Sequence, residues 1–141
     1  MKMLIQAAAA LVVVLSVGQA FADTDCNTHA YNRTRDYDTS NDAQRVAVDV
    51  LRAVYFVECK STYEEMQRDL TAAQQAALDA YQVGSVYSPL SGIVHDRFVL
   101  LTQSLQRLET RLNTISKTQE AQNSAMRLRI ALERVHGLIG Y

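Results

Sequence analysis

Val94, Phe98, Leu101, Leu105, Leu108, Leu112 and Ile115 recur at alternating steps of four and three residues, with no Gly or Pro between them. That spacing places all seven side chains on one face of a helix, because the average step nearly matches the α-helical turn. A stripe of this length is stable in water only when another apolar surface covers it. In a chain of 141 residues the cover must come from its other helices or from a second copy.

Three further seams supply candidates. A first predicted helix runs from about Asp42 to Cys59, capped by Ser40 or Asn41, with Ala43, Ala47, Val50, Val54 and Val57 facing inward. A second follows Tyr63, Met66, Leu70, Ala73, Ala77 and either Ala80 or Tyr81, and the pairs Ser61 with Glu64 and Thr62 with Glu65 have capping-box spacing. Residues 83–92 hold the chain's single proline and read as a loop. Beyond Ile115 the pattern slips by six residues to Ala121, with Ser116 and Gln119 as a capping pair. It then continues through Ala125, Leu128, Leu132, Val135 and Ile139 to the terminating Gly137 and Gly140. The same six-residue slip separates Val57 from Tyr63. The reading is all-α: an up-and-down four-helix bundle over residues 42–141, with one alternative, a long two-helix antiparallel hairpin that would be dimeric if its surplus apolar face met a second copy.

Upstream of the bundle, Lys2, the apolar run Leu4–Val17 and Ala20-Phe21-Ala22 have the order of a secretory signal peptide, so residues 1–22 are expected to be removed and the mature chain to begin at Asp23. The other runs are shorter than a membrane span. Residues 23–41 are polar, with Tyr31 and Tyr37 as their large ring-bearing side chains, and read as an irregular arm. Two cysteines, Cys26 and Cys59, fall in a chain bound for the periplasm or the exterior, which points to a disulfide.

Charge divides unevenly. Residues 23–92 carry 6 basic and 11 acidic groups, whereas 93–141 carry 7 basic and 4 acidic. The halves favour each other when packed antiparallel, and so few dispersed basic residues argue against nucleic acid as a partner.

Catalytic signatures are missing: the spacing gives no nucleophile motif, phosphate-binding glycine loop or zinc helix, so the chain reads as a non-enzyme. Asp36, Asp38, Ser40 and Asp42 alternate as calcium-loop ligands do. However, Asn41 stands where that loop turns on Gly, and Ala47 where it needs a bidentate Glu. Cys26 and His29 lack further ligands in sequence, so no metal is expected.

Two histidines, His95 and His136, each follow a core residue and would meet at one end of a hairpin, where such a pair is a candidate ligand set for haem. This layout resembles cytochromes of the b562 type, which implies a haem carrier with His136 as the late ligand, although Ala and Val replace the Met of that family's first helix. Leu70-Thr71-Ala72-Ala73-Gln74 resembles the Leu-Thr-x-x-Gln motif of periplasmic stress chaperones of the CpxP and Spy kind, and its second copy would have to be Ile115-Ser116-Lys117-Thr118-Gln119. That likeness implies a helical hairpin that binds other proteins.

The leading expectation is a protein-interaction module of the periplasm or exterior: a chaperone, inhibitor, immunity factor or envelope-complex subunit. Its candidate partner-facing residues are Val48, Tyr55 and Phe56, since the outer face of the first predicted helix, Val48, Arg52, Tyr55 and Cys59, is unusually apolar for a solvent side. Either a second copy covers that face, or the arm does, tied down by Cys26–Cys59 with Tyr31 or Tyr37 laid over Val48 and Tyr55.

Overall fold

The computed structural model describes residues 22–61 and 63–140, and every regular element in them is helical. In chain order these are α1 (Asp23–Thr34), α2 (Asp42–Lys60), a 3₁₀ turn (Glu64–Met66), α3 (Gln67–Val86), α4 (Gly92–Ile115) and α5 (Gln119–Ile139). The signal peptide expected over residues 1–22 lies outside the described residues except for Ala22.

The long seam behaves as its spacing requires. Val94, Phe98, Leu101, Leu105, Leu108 and Leu112 are buried in α4, and Ile115 is half-buried at its end. α4 packs on α3 and α5, and α2 closes the ring by packing on the same two helices. The result is the up-and-down four-helix bundle, and the long two-helix alternative is set aside. Both phase slips are real breaks, with Ser61 and Tyr63 outside any helix at the first and residues 116–118 at the second.

Their chemistry differs from the expected capping boxes. Ser61 and Ser116 end α2 and α4 as C-caps, and among the described residues no side chain caps the 3₁₀ turn or α3. Thr118 caps α5, its hydroxyl oxygen accepting from the Ala121 N–H at 3.1 Å. Thr62 lies outside the described residues.

At the start of α2, Asn41 forms a complete capping box. Its Oδ1 accepts from the Gln44 N–H at 2.8 Å, and the Gln44 side chain accepts from the Asn41 N–H at 3.2 Å. The same Asn41 donates through Nδ2 to the Gly84 carbonyl at 3.0 Å, fastening this end of α2 to α3. α3 runs on through Val86, so the first part of the expected 83–92 loop is helical. Gly84 is required there for proximity: a Cβ on it would stand 2.9 Å from the Ala43 Cβ.

The largest departure concerns the arm. Residues 23–34 form α1 instead of irregular chain, and α1 packs on α2. Cys26, Ala30 and Thr34, spaced four apart, are its buried face. Polar side chains dominate the rest, so its apolar pattern is too thin to announce a helix in sequence. The Cys26–Cys59 disulfide joins its first turns to the end of α2.

Lys60 reinforces the same corner. Its side chain is only 6 % exposed, and its ammonium donates to Asp23 at 2.9 Å and to Glu120 at 3.0 Å. Burial by itself opposes the charge on Lys60, but the bonds to Asp23 and Glu120 outweigh it and raise its pKa. The hydrogen bond from Lys60, then its charge, lowers that of Asp23.

Candidate functional site

Val48, Tyr55 and Phe56, expected to face a partner, are buried at 2 %, 7 % and 3 % exposure. The surplus apolar face of α2 is thus largely covered from within, and Phe56 also lines an open groove toward α5. The cover differs in detail from Tyr31 or Tyr37 lying over it. The Arg33 guanidinium sits 4.4 Å from the centre of the Tyr55 ring, and that of Arg127, from α5, lies 3.6 Å over Phe56. Tyr37 instead packs edge-on against Tyr81 of α3, and Tyr31 remains exposed.

Because α1 lies on the outer face of α2, it leaves an open groove against α5. The groove has a volume of about 430 Å³, and Ala30, Ala53, Phe56, Ile130 and Ala131 give it an apolar lining. Asn27, Asp49, Arg52, Arg127 and Arg134 supply its polar rim. A second depression of about 340 Å³ continues along α2 and α5 through Val46 and Leu138, and the two share Asp49 and Arg134.

The arginines of this groove are held in two ways. Arg134 donates to Asp49 at 2.9 Å. Arg52 instead donates through Nε to the Thr34 hydroxyl at 2.9 Å and stands 5.3 Å from the centre of the Tyr31 ring. Arg127 donates to the Asn27 side-chain carbonyl at 3.1 Å while stacked on Phe56. Neutral acceptors and ring faces therefore fix Arg52 and Arg127, and Asp23, which Lys60 holds, acts on Arg127 by charge alone. Each guanidinium keeps further N–H donors that bond no carboxylate among the described residues. The groove has three positive charges and one negative over an apolar floor.

The histidines come to the same end of the bundle, as their sequence positions imply. His95 is exposed in the first turn of α4, 3.8 Å from its neighbour Asp96, and His136 is half-buried in the last turn of α5. Among the described residues no three His, Cys, Asp or Glu side chains gather as a metal site. The Leu-Thr-x-x-Gln stretch is helix interior in α3, where Leu70 and Ala73 are core, and residues 115–119 span the end of α4, the connection 116–118 and the start of α5.

Exposed apolar side chains also collect at the α3–α4 turn, where Leu90 is 96 % exposed beside Val86 and Tyr87. No charged residue lies between Asp79 and His95, so this patch has no electrostatic preference of its own. No helix among the described residues is long and apolar enough to cross a membrane.

Sequence reasoning missed the groove. Arg127, Ile130 and Arg134 do share one face of a helix by their spacing, and Arg52 lies on the outer line of α2. Nothing in sequence says that these two faces meet beside α1. Comparison with known proteins adds no assignment: no protein family, curated protein or solved structure matches the chain.

Proposed function

We propose that this chain is an exported protein-interaction module that engages its partner through the α1–α2–α5 groove. The observation that carries this reading is the pair Arg52 and Arg127, both fixed by neutral acceptors and aromatic faces above an apolar floor. Ordering a guanidinium costs side-chain entropy, and a surface ion pair recovers that cost only in part. Here that ordering is already in place while the charge remains available, which is the preorganisation that favours binding. Arginine beside an aromatic ring is also the composition in which binding energy concentrates at protein interfaces.

Export is supported by the signal-like start of the chain and by the disulfide, which persists in oxidising compartments. A photo-crosslinking residue placed at Ile130, on the groove, should give a discrete adduct in an envelope extract. The same residue at Arg107, on the exposed face of α4, should not. Equal labelling from both positions, or none from Ile130, would count against the reading.

A further inference from the structure

We infer that the partner of this groove is an extended acidic segment of a protein, with carboxylates alternating with apolar side chains, and not a small anion, a lipid or a nucleic acid. The inference rests on the partner-binding reading above and adds the partner's chemistry. Its first support is charge. Arg52 and Arg127 hydrogen-bond no carboxylate among the described residues, Asp23 acts on Arg127 by charge alone while bonded to Lys60, and Asp49 already occupies Arg134. A guanidinium with free N–H groups is the best match in shape for a carboxylate.

The second support is length. The two depressions meet at the Asp49–Arg134 bridge and run along α2 from Phe56 to Asp42, which pairs with Arg45, and along α5 from Arg127 to Leu138. Eleven residues of helix correspond to about 16 Å, the reach of roughly five extended residues, which exceeds a single small carboxylate. The third is the floor. Ala53, Ile130 and Ala131 offer apolar contact between the charged positions, which suits alternating side chains. An open groove does not enclose an acyl chain. Nor do 6 basic against 11 acidic groups over residues 23–92, which supply the α1 and α2 sides of the groove, favour a polyphosphate.

The Asp49–Arg134 bridge then has a role. Asp49 stands in for one carboxylate of the segment, and an incoming acid competes with it for Arg134. Removing Asp49 should therefore strengthen binding, an effect that general damage to the fold would not produce.

The test is fluorescence anisotropy with the purified chain, its disulfide intact, and a labelled peptide of alternating glutamate and leucine. A peptide of alternating glutamine and leucine serves as the neutral match. The acidic peptide should bind, and Arg52→Gln and Arg127→Gln should each weaken it about tenfold, the size expected for losing one charge-assisted bond. Arg107→Gln should leave it unchanged, Asp49→Asn should tighten it severalfold, and added salt should weaken it. Helicity by circular dichroism confirms that each variant is folded. Equal binding of the neutral peptide would overturn the acidic assignment while leaving a partner-binding groove. Absence of binding by the acidic peptide, or an Asp49→Asn variant that binds it no better, would overturn the inference even if Ile130 still cross-links a partner.

Discussion

Arginines on the two sides of this bundle are satisfied by different means. Between α3 and α4, Arg111 donates to Asp69 at 3.0 Å, and that carboxylate is buried beside a seam of fully covered leucines. On the opposite side, Arg52 and Arg127 rest on Tyr31 and Phe56 and donate to a hydroxyl and an amide carbonyl. The first arrangement is complete within the chain, since both charges are neutralised and the carboxylate is desolvated. The second holds its geometry while leaving charge available. Arginines paired with a carboxylate and arginines held by neutral groups are thus told apart by what lies opposite them, and neither position nor exposure alone would separate them.

The difference can be broken first at the core. Phe98→Ala, in the seam of α4, should destabilise the chain by about 3 to 5 kcal/mol, because a fully buried ring leaves a cavity that four packed helices cannot fill. Chemical denaturation should show a lower midpoint with an unchanged slope. A cost below about 1 kcal/mol would mean that the α3–α4 side is looser than its packing indicates.

Next in size is the disulfide. Joining Cys26 to Cys59, 33 residues apart, is worth about 3 to 4 kcal/mol in the chain-entropy account. Cys26→Ser with Cys59→Ser should lower the melting temperature by many degrees and speed amide exchange in α1 before α3 or α4. Uniform acceleration across all helices would show that α1 is an integral part of the ring, not an attached cover. Slow exchange in α1 with unchanged melting would make the disulfide idle.

Gly84→Ala tests the close approach of α2 and α3. The added methyl would meet the Ala43 Cβ at 2.9 Å, so a loss of about 1 to 3 kcal/mol from overpacking is expected in thermal unfolding, in place of the gain that alanine usually gives within a helix. A more stable variant would show that the helices separate easily at that end.

The arginine comparison itself is sharpened by matched substitutions. Arg111→Gln strands the buried Asp69 carboxylate and should cost about 1 to 3 kcal/mol. Arg52→Gln or Arg127→Gln strands no charge and should cost about 1 kcal/mol or less. Equal costs in unfolding experiments would remove the distinction on which the groove's assignment rests.

Smallest is the pH response of the corner at Lys60. Asp23 has its pKa lowered from 3.8, chiefly by the hydrogen bond from Lys60, so its contribution is complete above that value and lost as pH falls through the lower folded-state value. Lys60 has a raised pKa despite the opposing effect of burial, so its contribution is complete below 10.5 and lost as pH rises through the higher folded-state value. Asp23→Asn should flatten the acid limb of the melting-temperature profile and leave the neutral region nearly unchanged. An identical acid limb in the variant would mean that Asp23 does not report folding.

Much of the scaffold was legible because periodic apolar residues determine a helix face locally. The seams of α4 and α5 needed nothing beyond their own spacing, and the six-residue slips marked true breaks even without Gly or Pro. Helix ends were less legible. Ser61 and Ser116 have cap-forming side chains, but backbone geometry at the breaks makes them C-caps and leaves Thr118 to begin α5. The arm was misread for a related reason: α1 has only Cys26, Ala30 and Thr34 to bury, and a helix with so small an apolar face is stabilised mainly by what it packs against.

By itself the sequence determined an all-helical ring closed on four apolar seams, with two cysteines able to staple its arm, because side-chain periodicity and hydrophobic burial act over a few turns of chain. Only the tertiary structure decided that α1 would set Arg33 over Tyr55, that Arg127 would cross from α5 to lie on Phe56, and that Arg52 would find Thr34 rather than a carboxylate. Those are contacts between residues distant in sequence, and a charge is left open or neutralised according to which helix stands opposite it, a relation that no spacing within one helix encodes.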